Sequence, residues 1–201
     1  YRSDRALTIS VGASPQANLM ANLLGKDPSE SCIALEMHGH LRKFSNSEIE
    51  GFKVSLEIHA GVYSIMDLQQ LATRARESYE GNEDEIALSV IAEVVSVYNE
   101  SEREQPEVLI AVGTLGLGRE PCHNYRGWGV VSSRSSSSLV SSKRRLVVER
   151  ISQEHSNLAW EVADGEDKKS LPPIPLEIGQ SVFIYPNHAC FTGAMYRSYF
   201  V

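Results

Sequence analysis

Over the first eighty residues, hydrophobic positions come in short extended runs, each followed by helical spacing. Residues 6–11 alternate small and branched apolar side chains and read as a buried strand. The strand runs into Gly12, Ala13, Ser14 and Pro15, and a helical pattern occupies 16–24. Ser14 suits the N-cap and Pro15 the first helical position, where its missing N–H costs nothing. Residues 54–58 alternate again as a strand and lead to His59, Ala60, Gly61 and Val62. Asp67 then opens a helix over 68–76 as its N-cap. Two strand–loop–helix units in succession predict a parallel sheet with crossover helices. Between them, residues 25–47 lack a clear period: Gly25 is expected to end the first helix, and the Gly, Arg and Lys flanks of His38 and His40 read as a polar loop.

From about residue 81 the pattern changes. Apolar runs rich in β-branched residues occupy 86–98, 107–112, 127–131, 146–151 and 176–185. Turn signals separate them: Gln105–Pro106, Glu120–Pro121, Asp164–Gly165, Pro172–Pro173 and Ile178–Gly179. Strands without helices between them predict an all-β domain. The chain is thus expected to combine an α/β part, 1–80, with an all-β part, 81–201. A Ser-rich segment over 132–145 is expected to be a mobile loop between strands.

The net charge of −7 and the lack of a basic stripe argue against a nucleic-acid partner. Runs of eighteen apolar residues are absent, so no membrane-spanning helix is expected. Three cysteines, Cys32, Cys122 and Cys190, are too few and too uneven for a disulfide scaffold, which points to a reducing, cytoplasmic compartment. The chain starts at Tyr1, close to its first strand, and reads as a piece of a longer protein.

The candidate chemistry gathers near the C-terminus, in Pro186, Asn187, His188, Ala189 and Cys190. Pro186 should end the strand before it. In extended backbone His188 and Cys190 would point to one side, with Cα atoms about 7 Å apart at roughly 3.3 Å per residue. An imidazole and a thiolate so placed can share a zinc ion and leave coordination positions open, as a catalytic ion needs. The competing reading is a buried cysteine beside a hydrogen-bonded histidine. His38 and His40 form a second H-x-H pair with polar flanks, and His155 lies in a turn after the strand 146–151. The loops at 12–15 and 59–63 are anion-ready if each leads into a helix N-terminus, and ordinary turns otherwise.

In order along the chain stand S-V-G-A-S-P at 10–15, L-E-I-H-A-G-V-Y at 56–63, D-L-Q-Q at 67–70, V-E-R-I-S-Q-E-H at 148–155, I-G-Q at 178–180 and P-N-H-x-C at 186–190. This ordered set resembles the C-terminal half of D-serine dehydratase-like enzymes, with the fungal members nearest. These group with D-threonine aldolases in the alanine-racemase-like, fold-type III class of pyridoxal-phosphate (PLP) enzymes. The resemblance implies that 1–80 are the last βα units of a (β/α)8 barrel and 81–201 the family's C-terminal β-domain. It implies PLP and Zn²⁺ as cofactors. Ser14, Gly61 and Val62 would lie at the phosphate, and His188 and Cys190 would be the metal ligands. The implied reaction is β-elimination of D-serine, or a related β-hydroxy-D-amino acid, to pyruvate and ammonia in a homodimer. Retro-aldol cleavage is the alternative on the same cofactor, and a noncatalytic ligand-binding β-domain the alternative outside enzymes. The family's Schiff-base lysine has no counterpart in this stretch, so the chain alone is expected to be inactive. Ser14 stands where relatives carry Thr, Val62 where they carry Asn, and Ala111 where they often carry Asp.

Overall fold

The computed structural model describes residues 6–12, 32–45, 47–49, 51–73, 83–140, 142 and 144–201. These residues divide into two compact units, one drawn from 1–64 and 73–80, the other from 65–72 and 81–201.

In the first unit, β1 (Ala6–Val11) pairs in parallel with β3 (Phe52–Ile58), from Ala6↔Lys53 to Val11↔Ile58. A parallel pair needs a long crossover, and α1 (Cys32–Ser45) lies within it. The two-residue strand β2 (Glu48–Ile49) completes the sheet antiparallel to β3, across a tight turn with Gly51 at φ +83°. The expected parallel sheet is therefore present. The expected polar loop is not, because His38, Gly39 and His40 lie on α1. Ile33, Met37, Leu41 and Phe44 recur at helical spacing there. Gly39 hides the pattern, since a mid-helix glycine costs about 1 kcal/mol relative to alanine. The expected helix over 16–24 lies outside the described residues.

In the second unit, six antiparallel strands close into a barrel. They are β4 (Val90–Tyr98), β5 (Glu107–Ile110), β6 (Gly129–Val131), β7 (Leu146–Ile151), β8 (Ser156–Trp160) and β9 (Ser181–Pro186). Their order is β4-β5-β8-β7-β6-β9, and β9 returns to pair with β4. Closure removes the exposed sheet edges. On β4, Val90, Ala92 and Val94 point inward while Ile91, Glu93 and Val95 face out, the two-residue period of a strand with one face in the core. Val94, Val108, Ile110, Val148, Leu158, Val182 and Ile184 fill the interior.

β8 is absent from the sequence expectation, which placed residues after 151 in a turn. Ser, Asn and Ala are weak strand formers, and pairing with β5 and β7 makes this segment a strand. Ser156, fully buried, donates its hydroxyl to the Val112 carbonyl at 2.6 Å. Trp160 donates its indole N–H to the Pro172 carbonyl at 2.7 Å.

The Ser-rich segment also differs from expectation. It connects β6 and β7, downstream of the short helix α3 (Thr114–Leu117), but a 3-10 turn at Ser133–Ser135 and the short helix α4 (Ser137–Val140) fold it against β9. Ser132 donates to the Tyr185 hydroxyl at 3.0 Å, and Ser135 Oγ accepts the Phe183 N–H at 2.9 Å. Leu139 is buried. Serine hydroxyls satisfy backbone groups locally, so low complexity here does not mean a loose chain. Among the described residues no helix is long and apolar enough to cross a membrane.

Candidate metal centre

β9 delivers the P-N-H-x-C stretch. Its last residue, Pro186, still faces Gly129 in the barrel, where a missing N–H is tolerated. Asn187 then turns the chain and is buried. Its Nδ2 donates to the carbonyls of Glu120 at 2.8 Å and Gly127 at 2.9 Å. Its own carbonyl accepts the Gln69 N–H at 3.1 Å. Its Oδ1 has no partner among the described residues.

His188 is extended, at φ −136° and ψ 102°, and occupies the N-cap of α5 (Ala189–Ala194). The extended expectation thus holds through His188 and fails at Cys190, which lies in the first helical turn. Once strand pairing stops at Pro186, the chain takes up local i→i−4 bonding, with the Thr192 N–H reaching the His188 carbonyl at 3.2 Å. The half-buried His188 ring meets the Phe191 ring edge-on, with centroids 5.0 Å apart. Cys190 is exposed. What burial it has, and then the nearby Asp67 charge, push its thiol pKa up.

Asp67 links this turn to a distant part of the chain. It is fully buried. Its Oδ1 accepts the Gln70 N–H at 2.9 Å, the expected N-cap of α2 (Leu68–Ala72). Its Oδ2 accepts the Ala189 N–H at 2.9 Å, across 122 residues of sequence. Burial raises its carboxyl pKa above the usual range, while the Ala189 and Gln70 N–H groups and the His188 charge pull it back. Cys122, also buried, has its thiol pushed up chiefly by burial and in part by the Asp67 charge.

His155 is exposed in the turn between β7 and β8. His40 is exposed on α1, 3.9 Å from Glu36. Among the described residues no group of three or more His, Cys, Asp or Glu side chains could hold a metal ion.

In the first unit, Gly61 and Val62 lie in the bend after β3, Gly61 exposed and Val62 buried. Ser14 lies outside the described residues. Gly12, directly after β1, has φ +102°, a conformation glycine adopts without a Cβ penalty. A polar cluster missing from the sequence reading stands at the carboxyl ends of β1 and β3. Ser10 Oγ lies 2.6 Å from His59 Nε2 and 3.1 Å from Glu57 Oε1, and His59 Nε2 lies 2.7 Å from Glu57 Oε1. The i, i+2 spacing of Glu57 near the end of β3 and His59 just past it was the available signal. For the link from Asp67 to Ala189 no local signal exists.

Residues 87–201 match the family model described as "Putative serine dehydratase domain". The chain belongs to the serine dehydratase domain family. It is 28% identical over 195 residues to the D-serine dehydratase of Schizosaccharomyces pombe, covering 97% of this chain and 37% of that protein. It is 29% identical over 200 residues to the D-serine dehydratase of Saccharomyces cerevisiae, covering 97% and 38%. The chain therefore spans well under half the length of these relatives. Among solved structures, D-threo-3-hydroxyaspartate dehydratase from Delftia sp. HT23 shares the fold, with a TM-score of 0.52 at 23% identity over 96% of this chain and 40% of that one. Two variant structures of that enzyme replace a histidine, and a cysteine two positions further on, by alanine; the cysteine variant is described as metal-free.

Proposed function

We propose that this chain is part of a PLP-dependent dehydratase of β-hydroxy-D-amino acids, D-serine foremost, in which His188 and Cys190 hold zinc. The carrying observation is an imidazole and a thiol two residues apart at the anchored end of β9, in a chain of the serine dehydratase domain family. The two-position spacing of the replaced histidine and cysteine in the Delftia enzyme supports the same pairing.

The donor set fits the ion. Imidazole and thiolate are both good zinc ligands, and two protein donors leave positions for a substrate oxygen. When bound, PLP supplies an electron sink and zinc a Lewis acid for the departing β-hydroxyl. The chain's own residues do the rest. His188 is oriented by its N-cap backbone and its contact with Phe191. Cys190 must give up its thiol proton to bind a metal. Ser14, Gly61 and Val62 would hold the phosphate. The adjacent carboxyl ends of the parallel strands β1 and β3, with Gly12 in a glycine-favoured conformation, support a phosphate site on those loops. We assign 1–80 to the barrel that binds PLP and 81–201 to the β-domain, in a cytoplasmic homodimer.

The test is made in the full-length protein. Cys190→Ala should lose zinc and D-serine-dependent pyruvate formation together, while PLP absorbance is retained. Full turnover by a metal-free Cys190→Ala protein would overturn the metal role. Glycine and an aldehyde, released from a β-hydroxy-D-amino acid in place of a keto acid and ammonia, would overturn dehydration.

A further inference from the structure

The two donors sit on a turn whose local supports are few. α5 has only six residues, and its N-cap, His188, makes no side-chain capping bond. A ligand imidazole cannot serve as a cap acceptor while it binds a metal. An N–H at the start of the helix must therefore be satisfied from outside. The fold supplies that partner at Ala189, the residue between the donors. Asp67 Oδ2 accepts its N–H at 2.9 Å in a site closed to solvent.

The carboxylate is itself held firmly. Its other oxygen caps α2 through the Gln70 N–H at 2.9 Å. The same helix is fastened to the turn at 121–124, where Gln69 Nε2 donates to the Pro121 carbonyl at 3.0 Å and Asn124 Nδ2 to the Ala72 carbonyl at 3.0 Å. One rigid element thus fixes the backbone of the residue between His188 and Cys190.

Resting on the metal-binding reading above, we propose that Asp67 is a positioning residue for the metal site: its carboxylate sets the first turn of α5 and so the mutual approach of the His188 and Cys190 donors. It is not a ligand. It acts as the outer partners of metal ligands do, through orientation, and such partners typically contribute about 10–100-fold in metal affinity.

The measurement is Co²⁺ binding to the full-length protein, read from the cobalt–thiolate absorption and by competition with a chromophoric chelator. Asp67→Ser is the decisive variant. Its hydroxyl can still cap α2 at Gln70, but a single short oxygen cannot also reach Ala189. The expected result is a folded protein with Co²⁺ affinity down about 10–100-fold and an altered cobalt–thiolate band. Asp67→Glu, which restores two carboxylate oxygens on a longer stem, should recover part of that loss. If either serine or glutamate fails to fold, Asp67→Asn supplies the same comparison, because an amide can satisfy only one of the two N–H groups. Wild-type affinity and an unchanged band in a folded Asp67→Ser or Asp67→Asn protein would overturn the positioning role. Absence of the cobalt–thiolate band from the wild type itself would instead overturn the metal-binding reading, and this inference with it.

Discussion

Replacing Asn187 tests how the P-N-H-x-C turn is built. Two bonds leave its Nδ2, at 2.8 and 2.9 Å, and both end on backbone carbonyls. Asn187→Ala removes both and leaves the Glu120 and Gly127 carbonyls short of a donor in a partly buried place. At roughly 1–1.5 kcal/mol per bond, the gross loss is about 2–3 kcal/mol. Against this, Oδ1 is an acceptor with no partner among the described residues, and removing it returns about 1 kcal/mol of desolvation cost. The net expectation is about 1–2 kcal/mol, or a fall in Tm of roughly 2–8 °C at about 150–250 residues and less in a larger protein. Asn187→Asp should be worse at neutral pH, because a carboxylate would face two carbonyl oxygens. The introduced carboxyl then has a raised folded-state pKa. Its unfavourable effect shrinks as pH falls through that value, since the neutral acid can donate to one carbonyl. Thermal or denaturant unfolding of the full-length protein at pH 7 and pH 5 checks the order wild type, alanine, aspartate, and the narrowing gap. An aspartate variant as stable as the alanine variant at pH 7, or an alanine variant within about 0.5 kcal/mol of wild type, would mean that the Asn187 amide does not hold this turn.

Gly127 has φ +77°, and a Cβ there would collide with the Val148 carbonyl. Gly127→Ala should therefore cost about 2–4 kcal/mol in denaturant unfolding, well above the unfolded-state gain from removing glycine's freedom. The Tyr125 phenol is pushed up to about 12 by burial and then by Glu83. Its neutral form is favoured by the fold, so the stability it contributes is fully present below the ordinary phenol pKa of about 10 and lost as pH rises through about 12. Tyr125→Phe should remove the latest-titrating phenolate in near-ultraviolet absorbance and flatten alkaline unfolding over that window. Because the Cys190 thiol is raised, divalent-metal affinity should keep climbing as pH rises through and above the usual thiol range. Chelator competition across that range checks it, and a flat profile would contradict thiolate ligation.

The barrel was legible where side chains alternate strongly. β4, β5, β7 and β9 stand close to the runs marked by Val, Ile and Leu, and the Asp67 cap follows from ordinary helix-start chemistry. β8 was hidden because Ser156, Asn157 and Ala159 carry little strand preference of their own and are held by neighbours on both sides. α1 was hidden by Gly39 and its polar flanks, and the Ser-rich segment by composition that reads as a linker while its hydroxyls bind β9. His188 and Cys190 were visible as a pair because the chemistry lies in the residue types. The helical turn between them was not, since it depends on pairing that stops at Pro186 and on an acceptor 122 residues away. No local pattern reports a partner at that separation.

Zinc ligation by His188 and Cys190 is read most directly by X-ray absorption at the zinc edge of the full-length protein, with Cys190→Ala measured beside it. The expected first shell holds one sulfur at about 2.3 Å, one imidazole nitrogen at about 2.0 Å and lighter scatterers in the remaining positions, with the sulfur lost in the variant. A first shell of oxygen and nitrogen alone in the wild type, or a sulfur shell that survives in Cys190→Ala, would contradict it.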